Sequence, residues 1–150
     1  MTNLETWVSL ASFGLTIMFV LLLASFSIFL VGPNEKGPDI YVQPPGVVVQ
    51  IVSISGAPGV ILTGIAYGLA RNYGSKSSGT ILMITGAILI GGMIYVGTIV
   101  PRIIEIYRVP YFEIMRYAFI AAGIGTVVVG AVLLRKPRNR RINMTDETLW

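Results

Sequence analysis

The side chains in this sequence that could do chemistry are few and stand far apart. Cysteine and histidine are both absent, which removes thiolate nucleophiles, imidazole bases, disulfides and most ligand sets for zinc, copper, haem and iron–sulfur clusters. Met18, Met83 and Met93 are soft donors that copper could use, but methionines scattered in this way read first as packing side chains. The hydrogen-bonding side chains set inside long apolar runs are Gln50, Thr63, Tyr67, Thr85, Tyr95 and Thr98. Between helices each offers about 1 kcal/mol or less, and none is a persuasive catalyst. No Asp, Glu, Lys or Arg falls deep in an apolar run, so a proton relay or ion-coupled carrier built from this chain alone lacks its working groups. The sequence therefore predicts no cofactor, no metal and no catalysis by the chain itself.

Backbone groups are the remaining chemical resource. The run Ser53-Ile54-Ser55-Gly56-Ala57-Pro58-Gly59 interrupts an apolar stretch, and Pro58 both lacks an N–H and displaces the preceding turn. In transporters a break of this kind exposes carbonyls to an ion or substrate, paired with a matching break in another half or with an intramembrane acid. Neither companion is evident in this sequence, so the expectation is a structural kink at Gly56, Pro58 and Gly59.

The charges are concentrated between the apolar runs. Glu113 and Arg116 stand three residues apart, close enough to pair on a helix and to snorkel toward an interface. Arg102, Glu105 and Arg108 recur every third residue between Pro101 and Pro110, a pattern that predicts a short interfacial helix. The strongest basic run is Arg135-Lys136-Pro137-Arg138-Asn139-Arg140-Arg141. Its expected role is to fix topology and rest on anionic headgroups, at about 1 kcal/mol per basic side chain near the surface. No folded basic domain with interleaved aromatics accompanies it, which argues against nucleic acid as a partner.

These groups must be positioned by membrane helices. At 54% hydrophobic and 12% charged residues, with a mean hydropathy of +0.77, the 150-residue chain is too apolar for an ordinary soluble domain. Four uncharged or nearly uncharged runs reach the ~20 residues that a ~30 Å hydrocarbon core requires. They predict an all-α integral membrane protein, a four-helix bundle with spans at about 7–32, 46–70, 79–100 and 111–134. The first run begins at Glu5 without Lys or Arg and exceeds a signal-peptide core, so it is read as a retained span. The second carries the kink, the interfacial segment lies between the third and fourth, and residues 135–150 form a basic, then polar tail read as surface-associated or disordered.

Small residues recur at four-residue spacing within the spans. Gly64 and Gly68 form a GxxxG pair, Ala87 and Gly91 lie one turn apart, and Ala118, Ala122, Thr126 and Gly130 form a longer stripe. Two readings stand for them: packing within the bundle, or docking of a neighbouring membrane subunit.

With four spans the N-terminus, the Arg71–Ser78 loop and the tail share one side. That side carries Arg71, Lys76, Arg135, Lys136, Arg138, Arg140 and Arg141, against Lys36, Arg102, Arg108 and Arg116 opposite. The positive-inside rule then expects both termini in the cytoplasm, with the plasma membrane as the setting. The acceptor-like triplet Asn143-Met144-Thr145 would be unused in that orientation. The build is similar to that of small multidrug carriers, but their first-span glutamate has no counterpart, and the paired cysteines of claudins and tetraspanins are missing. By elimination the chain is expected to be a noncatalytic accessory subunit of a multisubunit membrane complex. An energy-converting or small-molecule-oxidising assembly, such as a respiratory complex or membrane monooxygenase, would hold its active site on other chains. A self-associating carrier or channel gated near Pro58, and a lone membrane anchor or regulator, are the alternatives.

Overall fold

A computed structural model describes residues 4–73 and 76–135 of the chain. It contains α1 (Leu4–Val31), α2 (Pro44–Ile51), α3 (Ala57–Tyr73), α4 (Lys76–Ile99) and α5 (Phe112–Arg135), with no strand among the described residues. Helices α2 and α3 belong to one rod, so there are four helices long and apolar enough to cross a membrane: Leu4–Val31, Pro44–Asn72, Lys76–Arg102 and Phe112–Arg135. Among the described residues, these four long apolar helices overlie the four predicted runs, with ends differing by a few residues.

The second rod is where local chemistry reshapes the backbone. Between α2 and α3 a π-helical turn, Val52–Gly56, carries a hydrogen bond from the Ala57 N–H to the Val52 carbonyl. Pro58 explains the widening, because it brings no N–H and its ring crowds the carbonyl four residues earlier. Ile51, Val52 and Ala57 all keep right-handed helical dihedrals. What the sequence predicts as a kink is thus a widened turn within a continuous helical path. The Ser55 hydroxyl donates back to the Ile51 carbonyl at 2.9 Å, satisfying a buried group next to the irregularity.

The connection before α5 also differs from expectation. Instead of one interfacial helix there are two 3₁₀ turns, Val100–Arg102 and Glu105–Tyr107, separated by Ile103 and Ile104 with ψ of 135° and 141°. Pro101 is tolerated at the start of the first turn, the adjacent β-branched pair favours extension, and Pro110 turns Val109 away from helix. Tyr111 then ties α5 to the start of α2 through a 3.2 Å hydrogen bond to the Pro45 carbonyl.

Helix α1 lies between α3 and α4, and α4 in turn packs along α5. The core is uneven along the bundle. Toward the 32–43 and 100–111 loops it is large and apolar, built on Phe19, Leu23, Leu30, Val48, Met93, Val96 and Phe112. Toward the termini it narrows to a small cluster of Ala66, Ala70, Leu82 and Leu133.

Candidate functional site

The side chains that α1 buries follow a seven-residue pattern: Glu5, Ser9, Ser12, Thr16, Phe19, Leu23, Ser27 and Leu30. Four- and three-residue steps alternate from Glu5 to Leu23, as on a helix seam facing its neighbours, and only the extra four-residue step to Ser27 departs from that pattern. Its terminal half is polar. The Ser12 hydroxyl lies 3.0 Å from the Gly59 carbonyl and 2.6 Å from the Thr63 hydroxyl, and Thr63 also donates to Gly59 at 3.0 Å. Ser9 donates to the Glu5 carbonyl at 2.7 Å, and Glu5 itself is only 4% exposed. Ser12 therefore ties α1 to α3, whereas Ser9 bonds back within its own helix. The sequence signal for this seam was the heptad spacing of Ser and Thr in the first span, which reasoning from isolated polar residues passes over.

A second seam joins α4 to α5 through glycine. A Cβ on Gly86 would stand 2.7 Å from the Gly123 carbonyl oxygen and 2.9 Å from the Val127 nitrogen. One on Gly130 would stand 2.7 Å from the Gly79 carbonyl oxygen and 2.8 Å from the Met83 nitrogen. Gly79 and Gly86, like Gly123 and Gly130, are seven residues apart, so the antiparallel helices meet backbone to backbone at two successive levels.

The small residues singled out at four-residue spacing divide accordingly. Gly130 and Thr126 are buried, Thr126 donating to the Ala122 carbonyl at 2.8 Å, and Ala122 packs against the main core. Ala118 is turned outward. Gly64, Gly68, Ala87 and Gly91 are also exposed, and a Cβ added at Gly64, Gly68 or Gly91 would meet nothing within 4 Å. For these positions packing within the bundle is corrected: the in-bundle faces of their helices are taken by Gly59 and Ala66 on α3 and by Gly79, Gly86 and Gly92 on α4.

At the π-helical turn, Gly56 has a steric role. Its missing Cβ would lie 2.9 Å from Phe19 and 3.1 Å from Phe119, whose rings are tilted by 34° with centroids 4.6 Å apart. Pro58 is half-buried beside it, and Gly59 serves as acceptor for the α1 hydroxyl. An apolar void beside Leu30, Val48 and Phe112 measures only ≈ 10 Å³, about the least that a single water needs. Outside, Tyr41, Gln43, Pro45, Ile106 and Tyr107 line an open groove of ≈ 270 Å³. Met83 and Met93 lie ten residues apart on α4, about 15 Å along the axis, and Met18 faces outward, so the methionines do not converge. No group of three or more acidic side chains able to hold a metal occurs among the described residues.

The charged pair expected on the fourth span is present. Arg116 Nη2 donates to Glu113 Oε2 at 2.8 Å and to the Tyr117 hydroxyl at 3.3 Å, and the guanidinium carbon lies 5.0 Å from the centre of the Tyr117 ring. The Arg116 side chain is 20% exposed and Glu113 57%. Arg116 Nη1 occupies the space over Gly97 where any Cβ would stand, and Nε is buried without an acceptor among the described residues. Of the basic anchor, Arg135 is the exposed last residue of α5, while Lys136, Arg138, Arg140 and Arg141 lie outside the described residues. No protein-family model, curated protein or solved structure matches this chain.

Proposed function

We propose that this chain is a noncatalytic accessory subunit of a multisubunit membrane complex, an energy-converting or small-molecule-oxidising one with its active site on other chains. One observation carries this reading. The bundle packs its interior through hydroxyl and glycine seams, yet presents Gly64, Gly68, Ala87 and Gly91 on outward faces that nothing among the described residues covers. In a bilayer such faces permit the close backbone approach of a neighbouring helix, and van der Waals packing of that kind is a principal force between membrane helices. In this reading the four apolar helices cross the plasma membrane, with both termini and most of the Lys and Arg on the cytoplasmic side.

Gentle detergent extraction followed by native mass spectrometry tests the proposal. One copy of the chain bound to different membrane proteins is the expected result. A homo-oligomer would sink it, as would ion movement by the purified chain alone in liposomes.

A further inference from the structure

We propose that Arg116 and Glu113 form a headgroup site for a zwitterionic phospholipid, with the lipid phosphate on Arg116 and its ammonium on Glu113. The inference rests on the membrane-spanning reading of the four helices. Arg116 lies four residues inside α5, about 6 Å along the axis, where the helix begins to run through hydrocarbon in that reading. A guanidinium there needs acceptors for its five N–H groups, because lipid tails supply none.

The protein satisfies that need only in part. The hydrogen bonds that Arg116 makes to described residues run through Nη2, to Glu113 and Tyr117, and none is made there by Nη1; Nε is buried and closed to a headgroup, so Nη1 is the donor left for a phosphate. The side chain is nonetheless held in place. Gly97 of α4 leaves the seat that Nη1 occupies, and the Tyr117 ring lies beside the guanidinium at 5.0 Å. An exposed arginine free to extend into water would have neither constraint.

The two charges form a contact pair, Arg116 Nη2 lying 2.8 Å from Glu113 Oε2, with Glu113 nearer the helix start. A zwitterionic headgroup carries phosphate and ammonium on a two-carbon bridge, with the ammonium reaching toward water, and can lie antiparallel against such a pair. Glu113 Oε2 engages Arg116, and at 57% exposure the carboxylate remains open to a cation. The loop side as a whole favours the same ligand. Lys36, Arg102, Arg108 and Arg116 are balanced there by Glu35, Asp39, Glu105 and Glu113, so no net field draws in an anionic lipid.

The full chain in mild detergent, offered equimolar phosphatidylethanolamine and phosphatidylglycerol and read by native mass spectrometry, tests the assignment. Wild type is expected to retain phosphatidylethanolamine over phosphatidylglycerol by about tenfold, the preference one charge-assisted pair supports. Glu113→Gln should reverse that preference, because the unbalanced Arg116 then favours the anionic lipid. Gly97→Val, which keeps the arginine but fills its seat, should reduce retained phosphatidylethanolamine, and Arg116→Gln should abolish selective retention of either lipid. An unchanged lipid ratio in Glu113→Gln would overturn the proposal, and because that side chain is exposed the test survives if Arg116→Gln does not fold. Inorganic phosphate displacing the lipid at equal concentration would assign the site to a free anion and overturn the lipid assignment. Failure of the membrane-spanning reading has a separate mark: the chain would leave the membrane on alkaline carbonate extraction.

Discussion

Glycine acts in two opposite ways in this chain, and the difference can be measured. Gly86 and Gly130 sit where a Cβ would strike the backbone of the opposing helix, whereas Gly91 faces open space. Gly86→Leu should therefore destabilise the bundle in detergent by about 1–3 kcal/mol or more through overpacking. Gly91→Leu should stay within about 0.5 kcal/mol of wild type, as outward substitutions usually do. Thermal unfolding of both variants, followed by circular dichroism, compares them directly. Ser12→Ala, which removes one hydroxyl from the α1–α3 seam, should lose about 0.5–1 kcal/mol in the same assay. The polar inventory was legible in the sequence, as was the Glu113–Arg116 pair, because both follow from residue type and spacing alone. Which glycines face inward was not. In a membrane helix the outward side is as apolar as the inward side, so the usual contrast between a wet and a dry face is missing. The four-residue spacing led to Gly64, Gly68 and Gly91, whereas α4 and α5 meet through glycines seven residues apart.

At the scale of elements, the length of each helix follows from uninterrupted apolar runs, and all four were readable for that reason. The interruptions were harder to interpret, because proline states only which hydrogen bond is lost. How the backbone recovers depends on its neighbours. At Val52–Gly56 the helix widens by one residue, with Gly56 fitted beneath Phe19 and Phe119. Between Pro101 and Pro110 the every-third charge pattern suggested helix, yet two prolines and an Ile-Ile pair yield separate 3₁₀ turns. The widened turn closes through the Ala57 N–H to Val52 carbonyl bond and is followed by Pro58, which has no N–H to donate. Its amides from Val52 to Ala57 are expected to exchange with deuterium faster than those of Ile61 to Ala70 in α3, measured by mass spectrometry in micelles. Equal protection across the rod would mean that the irregular turn is as stable as the helix around it.

For the whole molecule, the division between a large apolar core near the loops and narrow hydroxyl and glycine seams near the termini suits a bundle that must pack internally and still offer faces outward. Everything proposed for those faces, and for the Arg116 headgroup site, depends on four membrane crossings with the two longer connections on one side. The absence of cysteine makes this directly testable, since each introduced thiol is the only one in the chain. Asn34→Cys and Glu105→Cys place a thiol in each longer connection, and Ser77→Cys places one in the first turn of α4, beside the connection to α3. In intact cells a membrane-impermeant maleimide should label positions 34 and 105, and should reach position 77 only after permeabilisation. Labelling of positions 34 and 77 from the same side would contradict the four-span bundle.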